Sequence, residues 1–366
     1  MDALRAFLKR KNIEISAKRY GIDALGAMAQ GLFCTLLIGT ILNTVGKQFG
    51  IGFLTAQVAE NVPYTLGGLA SFMSGPAMAA AIGYALQAPP LVLFSLAAVG
   101  YACNLLGGAG GPMAVLLVSI LAAECGKAIS KETKVDILVT PIVTTLVGVG
   151  AAKVIAPPIG AAAAAFGQLI VRTTQLQPFF MGILVSVLVG IALTLPISSA
   201  AICSVLKLTG LAGGAAVAGC CAQMVGFAVM SFRENGWGGL VSQGLGTSML
   251  QMPNIVRNPR VWIAPILTSA ITGPVATCIF GLEMNGAPIN SGMGTCGLCG
   301  QLGVWTGWLE PSADAIANGA AVIVPTGFDW LGLILVSFVL PAVICPAINV
   351  LCRKVGWVKD GDLTLQ

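Results

Sequence analysis

Residues 283–301 read EMNGAPINSGMGTCGLCGQ and stand between long hydrophobic runs. The stretch holds a carboxylate, two asparagines, a proline and five glycines, a composition that makes a poor helix. Around it the chain avoids polarity: of 366 residues 56% are hydrophobic and 9% charged, against roughly 25% charged in a soluble globular protein. The hydrophobic segments run to about 18–25 residues and are not alternating strands of about 10, so the chain is an all-α integral membrane protein rather than a barrel. Irregular backbone at membrane depth is tolerated only where it is buried in protein or lines a water-filled cavity. Residues 283–301 therefore mark a place where a polar solute can be met inside the bundle.

A second stretch, LPISSAAICSVLKLTG at 195–210, shares this character. Both follow a long apolar run and both contain Pro-Ile before a small polar pair, Ser198-Ser199 in one and Asn290-Ser291 in the other. The match hints at an internal repeat, and paired interrupted segments point to a transporter's binding site. Apolar runs at 22–46, 64–86, 90–106, 111–127, 136–155, 158–173, 178–196, 211–231, 261–281 and 328–351 predict about ten transmembrane helices around these two re-entrant or interrupted segments. With the N-terminus inside, sixteen Lys/Arg fall on the cytoplasmic side and only Lys47, Lys153 and Lys207 outside, which places both termini in the cytoplasm. Residues 1–20, with six of the nineteen Lys/Arg, read as a cytoplasmic amphipathic segment, 21–353 as a single transmembrane transport domain, and 354–366 as a cytoplasmic tail.

The polar residues divide by what an apolar setting permits. Glu283 ends an apolar run and is a binding candidate, with an interfacial helix cap as the alternative. Asn285, Asn290, Ser291 and Gln301 supply donors and acceptors for hydroxyl groups, or else stabilise their own loop; Ser198 and Ser199 are expected to face them. Glu60 and Asn61, in QVAENVPYTLGG, are further candidates whose alternative is an extracellular turn. Glu124 is one turn from Lys127 and reads as an intrahelical ion pair. The polar stretch 233–260 reads as a surface helix, a gate or a docking loop.

Catalysis finds no support. The chain has no histidine, no aspartate pair at catalytic spacing and no serine with a base beside it, and the glycines of NLLGGAGGPM (104–113) lack a P-loop ending and read as a tight turn. Cys296 and Cys299 form a C-x-x-C without a second pair, so no metal site is expected, and the remaining cysteines read as small hydrophobes. Nothing calls for a cofactor or for nucleic acid.

GAPINSGMGTCGLCGQLG, NVPYTLGGLASFMSGPAMAAAIGYAL, GGAGGPMAVLLVSILAAECGKAISKETKVDILVTPIVT and GWGGLVSQGLGTSMLQMPNIVRNP together resemble the phosphotransferase-system enzyme IIC type 2 membrane family, which includes the perfringolysin-regulator-like membrane proteins. The resemblance covers roughly 20–355. It implies a sugar-translocating subunit of the bacterial inner membrane, homodimeric, served by a soluble enzyme IIB that phosphorylates the solute. The glucose-type acidic motif is missing, so that group's sugar-binding positions do not transfer. Two other functions stay open: ion-coupled carriage with Glu283 or Glu60 as the titrating group, and a membrane sensor or regulator that binds its ligand without moving it.

Overall fold

The computed structural model describes residues 2–60 and 62–365, with side chains from residue 5 onward. The described chain is mostly helical and forms two compact units, residues 1–162 and 163–366. By length and composition six helical runs among the described residues can cross a membrane, or seven if one bent pair is counted as a span.

The first unit begins with α1 (Asp2–Arg10) and α2 (Arg19–Gln48). A short helix α3 (Gly52–Thr55) and an antiparallel hairpin of β1 (Gln57–Ala59) and β2 (Val62–Thr65) follow. Then α4 (Leu66–Phe72) and α5 (Ser74–Ala85) meet at a 49° bend, and the Thr65 side chain caps α4 by accepting from the Gly68 amide. The apolar run Pro90–Ile129 is two helices, α6 (Pro90–Gly107) and α7 (Gly111–Ile129), because Gly108 takes φ 50° and ψ −121°. They run antiparallel, since a Cβ on Gly107 would meet Ala114 and one on Gly126 would meet Val92. Helices α6 and α7 thus coincide with the expected runs 90–106 and 111–127, and the glycines between them form a turn.

Cations hold one end of this unit together. Arg19 Nη2 donates to the Leu86 carbonyl at 2.8 Å and Lys127 Nζ to the same oxygen at 3.1 Å, so two positive charges sit on the carbonyl just past the end of α5. Lys127 pairs with Glu124 at 2.8 Å, which gives Glu124 the structural partner expected from its spacing. Arg10 and Lys11 both reach Glu132, at 2.8 and 2.5 Å, and tie the end of α1 to the turn after α7. That contact holds the Glu132 carboxyl below the usual glutamate range, first through the hydrogen bond from Lys11.

One expectation fails here. The spans 136–155 and 158–173 are a single helix, α8 (Asp136–Thr174), with Pro141, Pro157 and Pro158 inside it. Proline removes an amide donor and ordinarily ends a helix. In an apolar run, leaving the helix would cost more unpaired backbone groups than the prolines do.

The second unit contains the end of α8, then α9 (Pro178–Thr194), α10 (Ser199–Val205), α11 (Gly210–Met230) and α12 (Phe232–Val241). It continues with α13 (Met252–Arg257), α14 (Pro259–Ile279), α15 (Cys299–Leu309), α16 (Ala313–Ala317) and α17 (Gly327–Lys354). Helix α11 is its axis, with 94% of its most apolar window buried. Its small residues let neighbouring backbones approach: a Cβ on Gly219 would strike the Ser186 carbonyl of α9, and one on Gly226 would lie 2.9 Å from Cys345 Sγ of α17. Val217, Cys221, Ala276, Met284, Val304, Trp308, Leu333 and Val336 close a core between α11, α14, α15 and α17.

Candidate functional site

Helices α9 and α11 run parallel, because Ser186 lies on Gly219 and Thr194 Oγ1 reaches Gln223 Oε1 four residues further along α11. The linker 195–209 must therefore travel back toward the start of α11. It does so through α10, whose first turn is capped by Ser198 accepting from the Ala201 amide at 3.2 Å. Pro196 and the extended Ser198 prevent α9 from simply continuing.

The stretch 283–309 forms a second return. Met284 pairs with Gly210 through two backbone hydrogen bonds of 3.0 Å at the start of α11. The chain then advances along α11: Ser291 approaches Gly213, Gly294 lies on Cys220, and Thr295 Oγ1 touches Met224 Sδ at 3.6 Å. From Gly213 to Met224 a helix rises about 16 Å, roughly half of a hydrocarbon core. At the tip Gly294, Gly297 and Leu298 take φ of 54°, 53° and 59°, a left-handed cluster that reverses the chain into α15. Helix α15 then retraces the path, with Gly300 against Gly294 and Gly303 against Asn290. Glycine is required at 286, 292 and 300 of this hairpin because a Cβ there would strike the backbone of Gly303, Ser199 and Gly294.

The two interrupted stretches meet. Ser199 Oγ donates to the Gly292 carbonyl at 2.8 Å, a Cβ on Gly292 would lie 2.6 Å from the Ser199 carbonyl, and Ser291 Oγ donates to the Leu208 carbonyl at 2.7 Å. Ser199, Ser291 and Asn285 are buried. Glu283 is half-buried beside the Gly210–Met284 bridge and accepts from Asn285 Nδ2 at 2.8 Å. Asn285 Oδ1 and Gln301 Oε1 are buried acceptors without a hydrogen bond, and Gln301 Nε2 has only the Cys221 sulfur, at 3.2 Å. Asn290 is half-buried against Gly303.

Thus Glu283, Asn285, Asn290, Ser291, Gln301, Ser198 and Ser199 share one unit and line its two returning segments. Glu60 is not among them: it belongs to the first unit, exposed at the turn of the β1–β2 hairpin. Asn61 lies outside the described residues. Cys296 and Cys299 are buried at the tip of the second return and form no disulfide, and Cys34 and Cys278 are exposed rather than packed.

Two polar networks escaped the sequence reading. Gln223, fully buried on α11, accepts from Trp262 Nε1 at 2.8 Å and from Thr194 at 3.2 Å, and donates to Ser269 at 3.3 Å. It joins α9, α11 and α14, and it is the one side-chain amide in GLAGGAAVAGCCAQMVGFAVM, a signal that was available. The second network lies in 233–260. That stretch is broken into α12, two short turns and α13, and its Gln243, Gln251 and Asn254 are buried.

The family model described as "Phosphotransferase system, EIIC" matches residues 22–365, so the resemblance carried by the glycine-rich motifs extends over nearly the whole chain. No curated protein and no solved structure matches it significantly. With its apolar helices and returning polar segments, the chain belongs to the phosphotransferase-system EIIC type 2 family of multi-pass membrane transporter subunits.

Proposed function

We propose that this protein translocates a sugar or similar small polar solute across the bacterial inner membrane, and that the solute is held where the 195–209 and 283–309 segments cross. The observation carrying this reading is the Ser199–Gly292 and Ser291–Leu208 crossing against the middle of α11, with unpaired acceptors at Asn285 and Gln301 beside it. A buried acceptor without a partner costs about 1–3 kcal/mol, a cost that a hydroxyl-bearing solute removes by donating to it. Glu283 at the mouth accepts further hydroxyl donors, while Ser198 and Ser199 fix the opposing segment.

In this reading the two returns are re-entrant. With α9 and its return counted as one re-entrant hairpin and α8 as one crossing, the crossings are α2, the bent pair α4–α5, α6, α7, α8, α11, α14 and α17, an even number, so both termini face the cytoplasm. Arg172 moves to the outer side, and the excess of inner cations persists. Release of the solute exposes it to a separate enzyme IIB that delivers the phosphoryl group, since this chain offers no phosphate-accepting histidine. A homodimer in the lipid bilayer completes the proposal.

Proteoliposomes test it. Solute accumulates in phosphorylated form only when a phosphorylated IIB is present on the cytoplasmic side, and Glu283→Gln or Asn285→Leu lowers uptake. Uptake that needs only a proton gradient supports ion-coupled carriage instead; ligand binding with no flux supports a sensor.

A further inference from the structure

Residues 355–365 fold onto the 233–260 stretch through side-chain amides. Asn235 grips the segment twice, its Nδ2 donating to the Leu363 carbonyl at 2.8 Å and its Oδ1 accepting from the Leu365 amide at 2.8 Å. Gln251 Nε2 donates to the same Leu363 carbonyl at 3.0 Å, and Asn254 Nδ2 to the Thr364 carbonyl at 3.0 Å. Asn258 Nδ2 reaches the Trp357 carbonyl and Asp362 Oδ2, both at 2.9 Å. Leu363 is fully buried. Gln251 and Asn258 flank α13 and Asn254 lies within it, so one short helix and its two ends supply most of the grip. Most of the partners are main-chain groups of a chain folded into consecutive turns, which makes this a site that reads backbone more than side chains.

The grip leads to the tip of the second return. Gln251 Nε2 also donates to Gln243 Oε1 at 2.8 Å, and Gln243 Nε2 donates to Ser231 Oγ and to the Gly239 carbonyl, both at 3.0 Å. The turn Ser242–Gly246 that Gln243 belongs to presents its Gly244 carbonyl to Thr295 Oγ1, at the left-handed tip. Hydrogen bonds, with the Gln243–Gly244 peptide link between them, therefore join the Leu363 backbone to the tip of the 283–309 return.

We propose that Asn235, Gln251, Asn254 and Asn258 form a peptide-binding clamp, that residues 357–365 occupy it as a releasable strap, and that strap release frees the Gly244–Thr295 latch at the inner end of the 283–309 return. The four clamp side chains are uncharged amides, so their ligand is the hydrogen-bonding backbone of a turned peptide. The link from latch to transport rests on the function proposed above; the clamp and the latch do not, and the test below uses no solute.

Hydrogen exchange, read peptide by peptide on the full chain in micelles, is compared with a chain ending at Val355. Exchange at 242–251 and at 293–298 is expected to rise together by about tenfold or more, as several buried hydrogen bonds are lost, while the middle of α11 stays protected. A synthetic peptide of residues 355–365 restores protection. Unchanged exchange at 293–298 overturns the proposal, as does a rise there that the peptide does not reverse. If the shortened chain does not fold, Asn235→Ala, which removes two strap contacts, is read in the same way, and unchanged exchange at both segments in that variant overturns it equally.

Discussion

Gly294→Ala gives the sharpest test of the returning segment. Gly294 has φ 54°, where an alanine costs about 1–2 kcal/mol. Its added Cβ would also lie 2.6 Å from Cys220 Cβ and 2.8 Å from the Cys220 carbonyl carbon on α11. Forcing a methyl group into a filled contact costs typically about 1–3 kcal/mol more, for a total of about 2–5 kcal/mol. Gly281 is the internal control: its φ is 56°, but a Cβ there meets nothing within 4 Å, so Gly281→Ala costs only the backbone contribution of about 1–2 kcal/mol. Denaturant titration in micelles, followed by tryptophan fluorescence, measures both. If Gly294→Ala is no more destabilising than Gly281→Ala, residues 294–298 do not pack against the middle of α11 and the reasoning fails.

Gln301→Leu removes a buried acceptor that has no partner, so stability is expected to hold or rise while solute affinity falls; a variant that loses stability and keeps affinity contradicts the assignment of Gln301. Gln223→Leu leaves Trp262 Nε1 and the Ser269 and Thr194 hydroxyls short of a partner and should cost about 2–4 kcal/mol in the same titration, whereas Gln223→Glu tests whether charge is tolerated there. The attachment of α1 depends on a Glu132 carboxyl held low by Lys11 and Arg10, so the contact is complete at neutral pH and is lost as pH falls through that lowered value. Protease cleavage between residues 10 and 19 should accelerate on acidification in the parent chain and be already fast, and less dependent on acid, in Glu132→Gln.

The fold class was legible because scarcity of charge and run length leave few alternatives for a backbone in lipid. The two interruptions were legible for a related reason: Pro196, Pro288 and the glycines of 286–300 break the helical runs there, and the second interruption lies along α11 from Gly213 to Met224. The span count was less legible. Pro157-Pro158 looks like a break in any sequence, yet α8 runs continuously from Asp136 to Thr174. Residue identity also could not tell Glu283, which pairs with Asn285 at the site, from Glu60 in an exposed hairpin turn, because both are carboxylates beside an apolar run. Gln223 stood out in its helix, yet amides such as Gln251 and Asn254 look like ordinary surface polarity until the 357–365 backbone is seen lying on them.

The central claim is that one solute touches both returning segments. Hydrogen exchange across 195–209 and 283–303, with and without a sugar that raises the thermal transition of the purified protein, tests this most directly. Protection rising in both segments together, and lost in Asn285→Leu, is the predicted result. A stabilising sugar that leaves both segments unchanged while protecting residues elsewhere would contradict the account.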